Sequence, residues 1–179
     1  MSNYLQEAIK TETFLASNLT ETDTGSTWRR TPEGKVNHSL YHGSAGVLIY
    51  YIELYLATDD EKYLKTAVSA GNELLSYVLA KAKDEDFITI GIYSGWPGYV
   101  YALNELYKVS LNAEYQTGAI KALERMTAQS SEIGAGIGWI EAIPFSDITG
   151  ITGIREVIDL SVGAAGAGIM YLYAYREGL

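Results

Sequence analysis

The sequence predicts an all-α fold in which pairs of helices repeat along a single domain, residues 1–179. Three apolar stretches recur, and each begins with two glycines that stand three residues apart. A helix that is apolar on every side is buried on every side, so these stretches predict three inner helices. Amphipathic stretches lie between them and predict outer helices packed against the inner ones. The glycine pairs are Gly43 and Gly46, Gly95 and Gly98, and Gly163 and Gly166.

An internal repeat supports this fold. The first two units align without a gap at an offset of 52 residues, which places Tyr41 on Tyr93 and Glu53 on Glu105. Recurrence of a helix pair at a fixed period is the mark of a helical repeat protein. We place the repeat units at about residues 2–57, 58–109 and 110–179.

The first unit begins with a predicted helix over residues 2–18, whose apolar residues fall mostly on one face. Residues 20–26 are small and polar, which predicts a loop. Residues 27–30 and 35–38 flank Pro-Glu-Gly at 32–34. This arrangement predicts a short hairpin, or an extended loop with a turn at Pro-Glu-Gly, that leads to the first glycine pair.

The first inner helix is predicted over residues 44–57. Thr58 and Glu61 then form a capping-box pattern, in which each side chain satisfies an unpaired backbone N–H at the start of an outer helix. That outer helix is predicted to run to about Lys83. Asn112 is the predicted N-cap of the second outer helix.

The third unit contains a longer connector rich in Gly and Ile. Residues 138–143 and 154–158 are predicted strands. Trp139 precedes the third inner helix as Trp28 precedes the first. Each tryptophan is therefore expected in an extended insert before an inner helix. The chain stops at Leu179, where the loop to a further outer helix is expected, so we interpret the architecture as incomplete.

Composition excludes several classes of function. The formal net charge of -9 argues against nucleic acid and against an anionic membrane surface, because both require basic residues. The chain has no cysteine, so no disulfide, thiolate metal site or cysteine nucleophile can form within it. The first residues lack the segments of a signal peptide, and no apolar run approaches the roughly 20 residues of a membrane span. We therefore expect a cytoplasmic protein.

The six glycines are candidates for a functional site. Glycine at a helix start permits a close approach of two backbones or a positive φ, and it leaves N–H groups that favour anions. Several such helix ends aimed at one point would form the rim of a cavity, where we also expect His42. His38 stands four residues before His42, but this stretch is predicted to be extended and no further ligand is evident. We therefore predict no metal site.

The motifs around the glycine pairs resemble the successive Gly-x-x-Gly repeats of the lanthionine synthetase C-like (LanC-like) family. They read SLYHGSAGV at 39–47, IYSGWPG at 92–98 and DLSVGAAG at 159–166. The resemblance runs over essentially the whole chain, and three motifs in order are a fairly specific signal. It implies an α/α toroid of seven helix pairs. This chain would be its N-terminal part, an incomplete barrel with three inner helices and short β-hairpin inserts.

The resemblance also implies a chemistry. Cyclases of this family bind zinc through one Cys and a Cys-His pair on later repeats. The zinc activates a cysteine thiol for addition to dehydroalanine or dehydrobutyrine, which forms a thioether ring in a peptide, and eukaryotic relatives use glutathione as the thiol. An Asp ahead of the third glycine pair is implicated in acid–base work, and Asp159 stands at that position, four residues before Gly163.

The family's other functional residues do not occur in this chain. We therefore expect Asp159 to be catalytic only in a full-length protein, and zinc to bind only if Cys and Cys-His residues follow downstream. The 179-residue chain alone is expected to be inactive. The expected partners are a dehydrated peptide or a small thiol in the full-length form, and a second copy of the chain that covers the open flank of the barrel.

Two other functions remain open. Without zinc ligands, the chain is alternatively a non-catalytic binding or scaffold module. Carbohydrate-active enzymes also use α/α toroids, since a fold does not fix a function. Such enzymes need paired carboxylates across a cleft, and Glu53, Glu105 and Asp159 form no convincing pair.

Overall fold

A computed structural model describes residues 3–29, 31, 33–82, 89–143, 153–156, 158–161 and 163–179. Within these ranges the chain is mostly helical, as predicted, with six α-helices and three antiparallel two-stranded sheets. The helices are α1 (Asn3–Ser17), α2 (Ser44–Thr58), α3 (Glu61–Lys81), α4 (Trp96–Ser110), α5 (Ala113–Ala128) and α6 (Ala164–Glu177). The strands are β1 (Leu19–Glu21), β2 (Ser26–Trp28), β3 (Ser131–Ile133), β4 (Gly136–Gly138), β5 (Ile140–Ile143) and β6 (Gly153–Glu156).

The three inner helices lie side by side, with α4 in the middle. α4 packs against both α2 and α6, and it is the helix with the most buried residues. α3 packs on α2 and α4, and α5 packs on α4, so these two are outer helices. α1 is held against α2 by the Tyr50 hydroxyl, which donates to the Ala8 carbonyl at 2.5 Å. No helix within the described ranges is long and apolar enough to cross a bilayer.

The 52-residue repeat is present in the structure. α2 and α4 have the same length of 15 residues and start 52 positions apart. The residues that follow them, Asp59 and Leu111, both adopt a left-handed backbone with a φ of 56°. The N-caps of the two outer helices, Asp60 and Asn112, each accept a backbone N–H two residues later at 3.0 Å. The predicted cap at Asn112 is therefore confirmed.

The capping box predicted at Thr58 does not form. Thr58 is the last residue of α2, and its hydroxyl donates to the Leu54 carbonyl at 2.6 Å. The same hydroxyl accepts the Asp60 N–H at 3.3 Å. Asp60 takes over the cap because its short carboxylate stands directly before the first turn of α3 and reaches the Lys62 N–H.

The first hairpin lies earlier in the chain than predicted. β1 and β2 pair with Leu19 opposite Trp28, so strands form where the sequence predicted a loop. The turn between them is closed by Thr22, whose N–H donates to the Gly25 carbonyl at 2.8 Å and whose hydroxyl accepts the Gly25 N–H at 3.0 Å. At the predicted Pro-Glu-Gly turn the Gly34 N–H donates to the Thr31 carbonyl at 2.9 Å, which fits the predicted extended loop with a turn, while Pro32 itself lies outside the described residues. The strands β1 and β2 were missed because the composition of the Thr-Asp-Thr-Gly turn reads equally well as a loop.

The inserts before the first and third inner helices share one geometry. The indole N–H groups of Trp28 and Trp139 each donate, at 2.8 Å, to the backbone carbonyl 13 residues earlier. Each indole also stacks on a tyrosine of the next inner helix, Tyr51 at 5.6 Å and Tyr171 at 6.2 Å. The predicted equivalence of the two tryptophans is therefore confirmed.

The connector before α6 contains two of the small sheets. β3 pairs with β4, and β5 pairs with β6. Of the strand predicted at 138–143, β5 forms residues 140–143, and of the strand predicted at 154–158, β6 forms residues 154–156, while residue 157 lies outside the described residues.

Candidate functional site at the rim of the inner helices

Each inner helix begins at a glycine with an extended backbone. Gly43, Gly95 and Gly163 have φ values of −132°, −136° and −127°, so the positive φ that the sequence allowed is not used here. The second glycine of each pair serves a close approach instead. A Cβ atom there would overlap with the backbone carbonyl oxygen six residues earlier, which for Gly98 is that of Ile92. The glycine pairs therefore let each loop fold tightly onto the first turn of its helix.

The loops that carry the glycine pairs are hydrogen-bonded to one another in a row. The Tyr41 N–H donates to the Tyr93 carbonyl at 3.0 Å, and the Ile92 N–H donates to the Leu160 carbonyl at 3.3 Å. Loops from three successive repeats therefore form one continuous edge at the N-terminal ends of α2, α4 and α6. We call this edge the rim. It comprises residues 39–43, 91–95, 159–161 and 163.

The rim presents aromatic side chains to solvent. Tyr41 is 70% exposed, and its ring centroid lies 4.2 Å from that of His42 and 5.9 Å from that of Tyr93. Exposed aromatic rings that cluster in this way form a contact surface with an apolar face and polar edges. The sequence predicted His42 at the rim and overlooked Tyr41 and Tyr93 as site residues. Their coincidence in the 52-residue repeat was the signal that could have found them.

Asp159 lies on the same edge, in the third loop. Its exposed carboxylate accepts the Ser161 N–H at 2.6 Å, and its backbone carbonyl accepts the Gly163 N–H at 3.1 Å. It does not cap α6, because the N-cap is Gly163, without a side-chain bond. The third loop also touches the second, since the Ser94 hydroxyl donates to the Ser161 carbonyl at 3.4 Å. Asp159 therefore stands on the rim beside the second repeat.

The first backbone amides of α2 and α4 are not open to an anion. The Ser44 N–H donates to the Asn37 carbonyl at 2.9 Å, and the Trp96 N–H donates to the Thr89 carbonyl at 3.1 Å. The sequence allowed a polar pocket built from free amides at these positions. In the first two repeats the preceding chain occupies them, so the chemistry of the rim depends on its side chains.

His38 points away from the rim, towards α3. Its buried ring stacks on Tyr77 at 4.0 Å, and its Nε2 lies 3.3 Å from Glu73 Oε1. The other Glu73 oxygen accepts hydrogen bonds from Thr22, at 2.7 Å, and from Thr24. This cluster fastens the first hairpin and the first loop to α3. Sequence reasoning missed it, because its members lie up to 51 positions apart and no local pattern joins them.

The protonation of this cluster follows from its burial. Burial lowers the pKa of His38, although the hydrogen bond and charge of Glu73 act in the opposite direction. Burial alone would raise the pKa of Glu73, but hydrogen bonds from Thr24, Thr22 and His38 outweigh it and lower that pKa. At neutral pH the pair is therefore a neutral imidazole hydrogen-bonded to a carboxylate, rather than an ion pair.

A second polar cluster joins α4 and α6 in the halves of these helices that lie away from the rim. The amide of Asn104, which is 2% exposed, donates to the Tyr173 hydroxyl at 2.8 Å. That hydroxyl donates to Glu105 at 2.6 Å, and Lys108 lies 3.1 Å from Glu105 and 3.4 Å from Glu177. Burial raises the pKa of Tyr173, so its hydroxyl remains a donor. Each group has a partner, which indicates a structural role.

The residues of this chain do not fit the zinc site that the family resemblance implies. The chain contains no cysteine. His38 is engaged by Glu73 and Tyr77, whereas His42 lies on the rim against Tyr41. Among the residues that the structure describes, no three His, Cys, Asp or Glu side chains converge on a point that could hold a metal ion.

No protein-family model matches the chain, and no curated protein is significantly similar to it. The rim is therefore the candidate functional site. This edge combines an aromatic contact surface, formed by Tyr41, His42 and Tyr93, with the carboxylate of Asp159.

Proposed function

We propose that the chain is the N-terminal part of a LanC-like protein whose complete form adds thiols to dehydroamino acid residues of a peptide. One observation carries the proposal. Three glycine-led loops, hydrogen-bonded in chain order, hold Asp159 on the same edge as Tyr41 and Tyr93. The order of the glycine motifs and the repeated helix pairs support an α/α toroid for the complete protein. In that toroid the rim would border the central cavity.

The proposed reaction adds an S–H group across the C=C bond of dehydroalanine or dehydrobutyrine. The sulfur bonds to the β-carbon, and a proton is delivered to the α-carbon. Asp159 is the proposed acid–base group for this proton, because an exposed carboxylate at the rim can reach a bound substrate. Tyr41, His42 and Tyr93 are the proposed peptide contacts, since their rings offer both apolar faces and polar edges.

The residues that the structure describes contain no set of ligands for zinc. We therefore propose that polypeptide outside these 179 residues supplies the zinc ligands, and no step is assigned to zinc here. The 179-residue chain by itself is therefore proposed to bind peptide without turning it over. Both alternatives, a longer protein or a separate chain that supplies the ligands, are compatible with the rim described above.

The proposal is tested on the product of the complete reading frame that contains this chain. The protein is incubated with glutathione and a peptide that bears dehydrobutyrine, and mass spectrometry measures the peptide's gain of one glutathione. Asp159→Asn should abolish most of the rate, because the carboxyl group that moves the proton is gone. Glu132→Gln is the matched control, since Glu132 is an exposed acid on β3, outside the rim. Equal rates for Asp159→Asn and the wild type would refute the role of Asp159.

A non-catalytic binding module is the second candidate function. The exposure of Tyr41 and Tyr93 favours it, because exposed aromatic clusters often mark sites that bind peptides or sugars without chemistry. This candidate predicts that the complete protein binds the dehydrated peptide but forms no adduct. It also predicts that Tyr41→Ala weakens binding, while Asp159→Asn leaves the affinity unchanged.

A further inference from the structure

The face of α6 that points away from α4 is apolar and exposed. Ile169, Leu172 and Tyr175 are 44%, 61% and 86% exposed. Ile169, Leu172 and Tyr175 follow one another at intervals of three residues, and Gly168 stands four residues before Leu172, so they form one stripe along the helix. Large apolar side chains aligned in this way on one helix face are typical of a contact with another element. We call this stripe the α6 face.

The repeat indicates what kind of element binds the α6 face. Position in each inner helix is counted from its leading glycine. Five and nine residues after that glycine, α2 has Leu48 and Ile52, and α4 has Val100 and Asn104. All four are buried, with at most 2% of their surface exposed. On this side of α4 the next inner helix packs, since the Asn104 amide donates to Tyr173 of α6. The same two positions of α6 hold Gly168 and Leu172, so the α6 face is where a further inner helix would pack.

The complementary face lies on the other side of an inner helix. α6 meets α4 through residues 10 and 14 positions after its leading glycine, Tyr173 and Glu177, which bond to Asn104 and Lys108. The same two positions of α2 are Glu53 and Ala57, and both are exposed. Tyr50, at the position of the buried Met170, is half-buried. We call Tyr50, Glu53 and Ala57 the α2 face.

An exposed basic residue lies beside the α6 face, and an exposed acid lies on the α2 face. Across the junction of α4 and α6, Lys108 lies 3.4 Å from Glu177. Arg176 occupies the position of Lys108 in α6, 13 residues after the leading glycine, and it is exposed. The α2 face carries the exposed carboxylate of Glu53. Docking in the repeat register would place Arg176 opposite the partner subunit's Ala57, one helical turn from the partner's Glu53, where the opposite charges attract each other.

We propose that the α6 face of one chain packs against the α2 face of a second copy, in the register in which α6 packs against α4. This head-to-tail contact continues the helix repeat from one copy to the next. If the curvature closes after two copies, the result is a dimer with two identical junctions, and otherwise it is an open oligomer. The inference concerns the 179-residue chain and is independent of the proposed thiol chemistry.

The first test measures the mass of the 179-residue chain in solution by sedimentation and light scattering over a range of concentrations. The wild type should associate reversibly. Leu172→Glu should raise the dissociation constant on the order of tenfold or more, because it replaces a buried apolar contact with an unpaired charge. Ile137→Glu is the matched control. Ile137 is 55% exposed on β4, so this substitution adds the same charge at a site outside the proposed contact. A wild-type monomer at millimolar concentration would overturn the proposal.

The second test reads the register directly, and the absence of native cysteine makes it clean. Chains carrying only Leu172→Cys are mixed with chains carrying only Glu53→Cys, and the mixture is oxidised. The proposed contact predicts that disulfides join the two kinds of chain much faster than they join either kind to itself. Rapid crosslinking of Leu172→Cys with itself would instead indicate a symmetric α6–α6 contact and overturn the proposed register. No crosslink between the two kinds in an associating protein would overturn it as well.

Discussion

The hydroxyl of Tyr173 accepts a hydrogen bond from the buried amide of Asn104 at 2.8 Å, across the junction of α4 and α6. It also donates to Glu105 at 2.6 Å. Adjacent repeats are therefore joined by a polar bridge in addition to apolar packing. The bridge accounts for Glu105 in a largely buried helix, since its carboxylate is satisfied by Tyr173 and Lys108.

Removing this bridge should destabilise the fold. Tyr173→Phe deletes one hydroxyl and leaves the Asn104 amide buried without that partner, so the free energy of unfolding should fall by about 1–3 kcal/mol. Urea unfolding measures the loss. Tyr4→Phe is the control, because Tyr4 is 86% exposed, and it should change stability by only a few tenths of a kcal/mol. Equal effects of the two substitutions would show that the bridge contributes nothing.

The close approach at the second glycines gives another prediction. Gly98→Ala places a methyl group against the Ile92 carbonyl oxygen and the Leu40 side chain, so the loop must move. We expect a loss on the order of 2 kcal/mol in the free energy of unfolding. In Gly136→Ala the new methyl group meets only the Ile133 carbonyl oxygen, at an ordinary contact distance of 3.8 Å. A thermal melt of Gly98→Ala that matches that of Gly136→Ala would refute the steric explanation.

Leu111 offers a stabilising change. It follows α4 with a φ of 56°, its side chain is 78% exposed, and a left-handed backbone is strained for leucine. Leu111→Gly should therefore raise the free energy of unfolding by about 0.5–1 kcal/mol, because glycine adopts this conformation freely. Asp59→Gly should gain less, since aspartate tolerates the same φ of 56° better. Denaturant melts that rank the two variants in the reverse order would contradict this account.

The cluster of His38 and Glu73 should make stability depend on pH. Burial lowers the pKa of His38 in the folded state below the 6.5 that is usual for histidine, so the unfolded chain takes up the proton first as the pH falls. The contribution of neutral His38 to the free energy of unfolding is therefore complete above pH 6.5, and it is lost as the pH falls through that value and below. The pKa of Glu73 is also lowered, since hydrogen bonds from Thr24, Thr22 and His38 outweigh burial. The contribution of the Glu73 carboxylate to the free energy of unfolding is present above about pH 4.5, and it is lost as the pH falls through the pKa of Glu73 in the folded state.

Unfolding free energies measured between pH 7.5 and pH 5.5 isolate the histidine part of this dependence. His38→Gln should flatten the decline on acidification, because the titrating ring is gone. His42→Gln should leave the decline unchanged, since His42 lies exposed on the rim and has no contact with Glu73 among those described. A decline of the same slope in wild type and His38→Gln would contradict the assignment.

The sequence predicted the parts of the fold whose signals are local. The apolar runs located the inner helices, the 52-residue repeat matched their boundaries, and Asn112 marked a cap, because each depends on neighbouring residues. The hairpin of β1 and β2 was missed, since the turn from Thr22 to Gly25 and an irregular loop have the same composition. The contact of His38 with Glu73, 35 positions away, had no sequence signal, because tertiary packing alone brings the two together.

For the candidate site too, the sequence predicted what depends on local signals and missed what depends on tertiary packing. The glycine motifs placed His42 and Asp159 at loops before inner helices, and the repeat aligned Tyr41 with Tyr93. The hydrogen bonds that join these loops into one edge are backbone contacts between residues 52 and 68 positions apart. Such contacts depend on how the helices pack, so the sequence could suggest a rim but could not show which side chains share it.

The most direct test of the central claim is an amide chemical-shift titration of the 179-residue chain with a peptide that contains dehydrobutyrine. The account predicts that the shifts concentrate at Tyr41, His42, Tyr93, Asp159 and Ser161, which lie exposed on the rim, and that Tyr41→Ala weakens them. It also predicts that the amides of the first hairpin and of the α6 face change little. Absence of any shift at the rim, or shifts confined to the hairpins or the α6 face, would contradict the claim that the rim is the functional site.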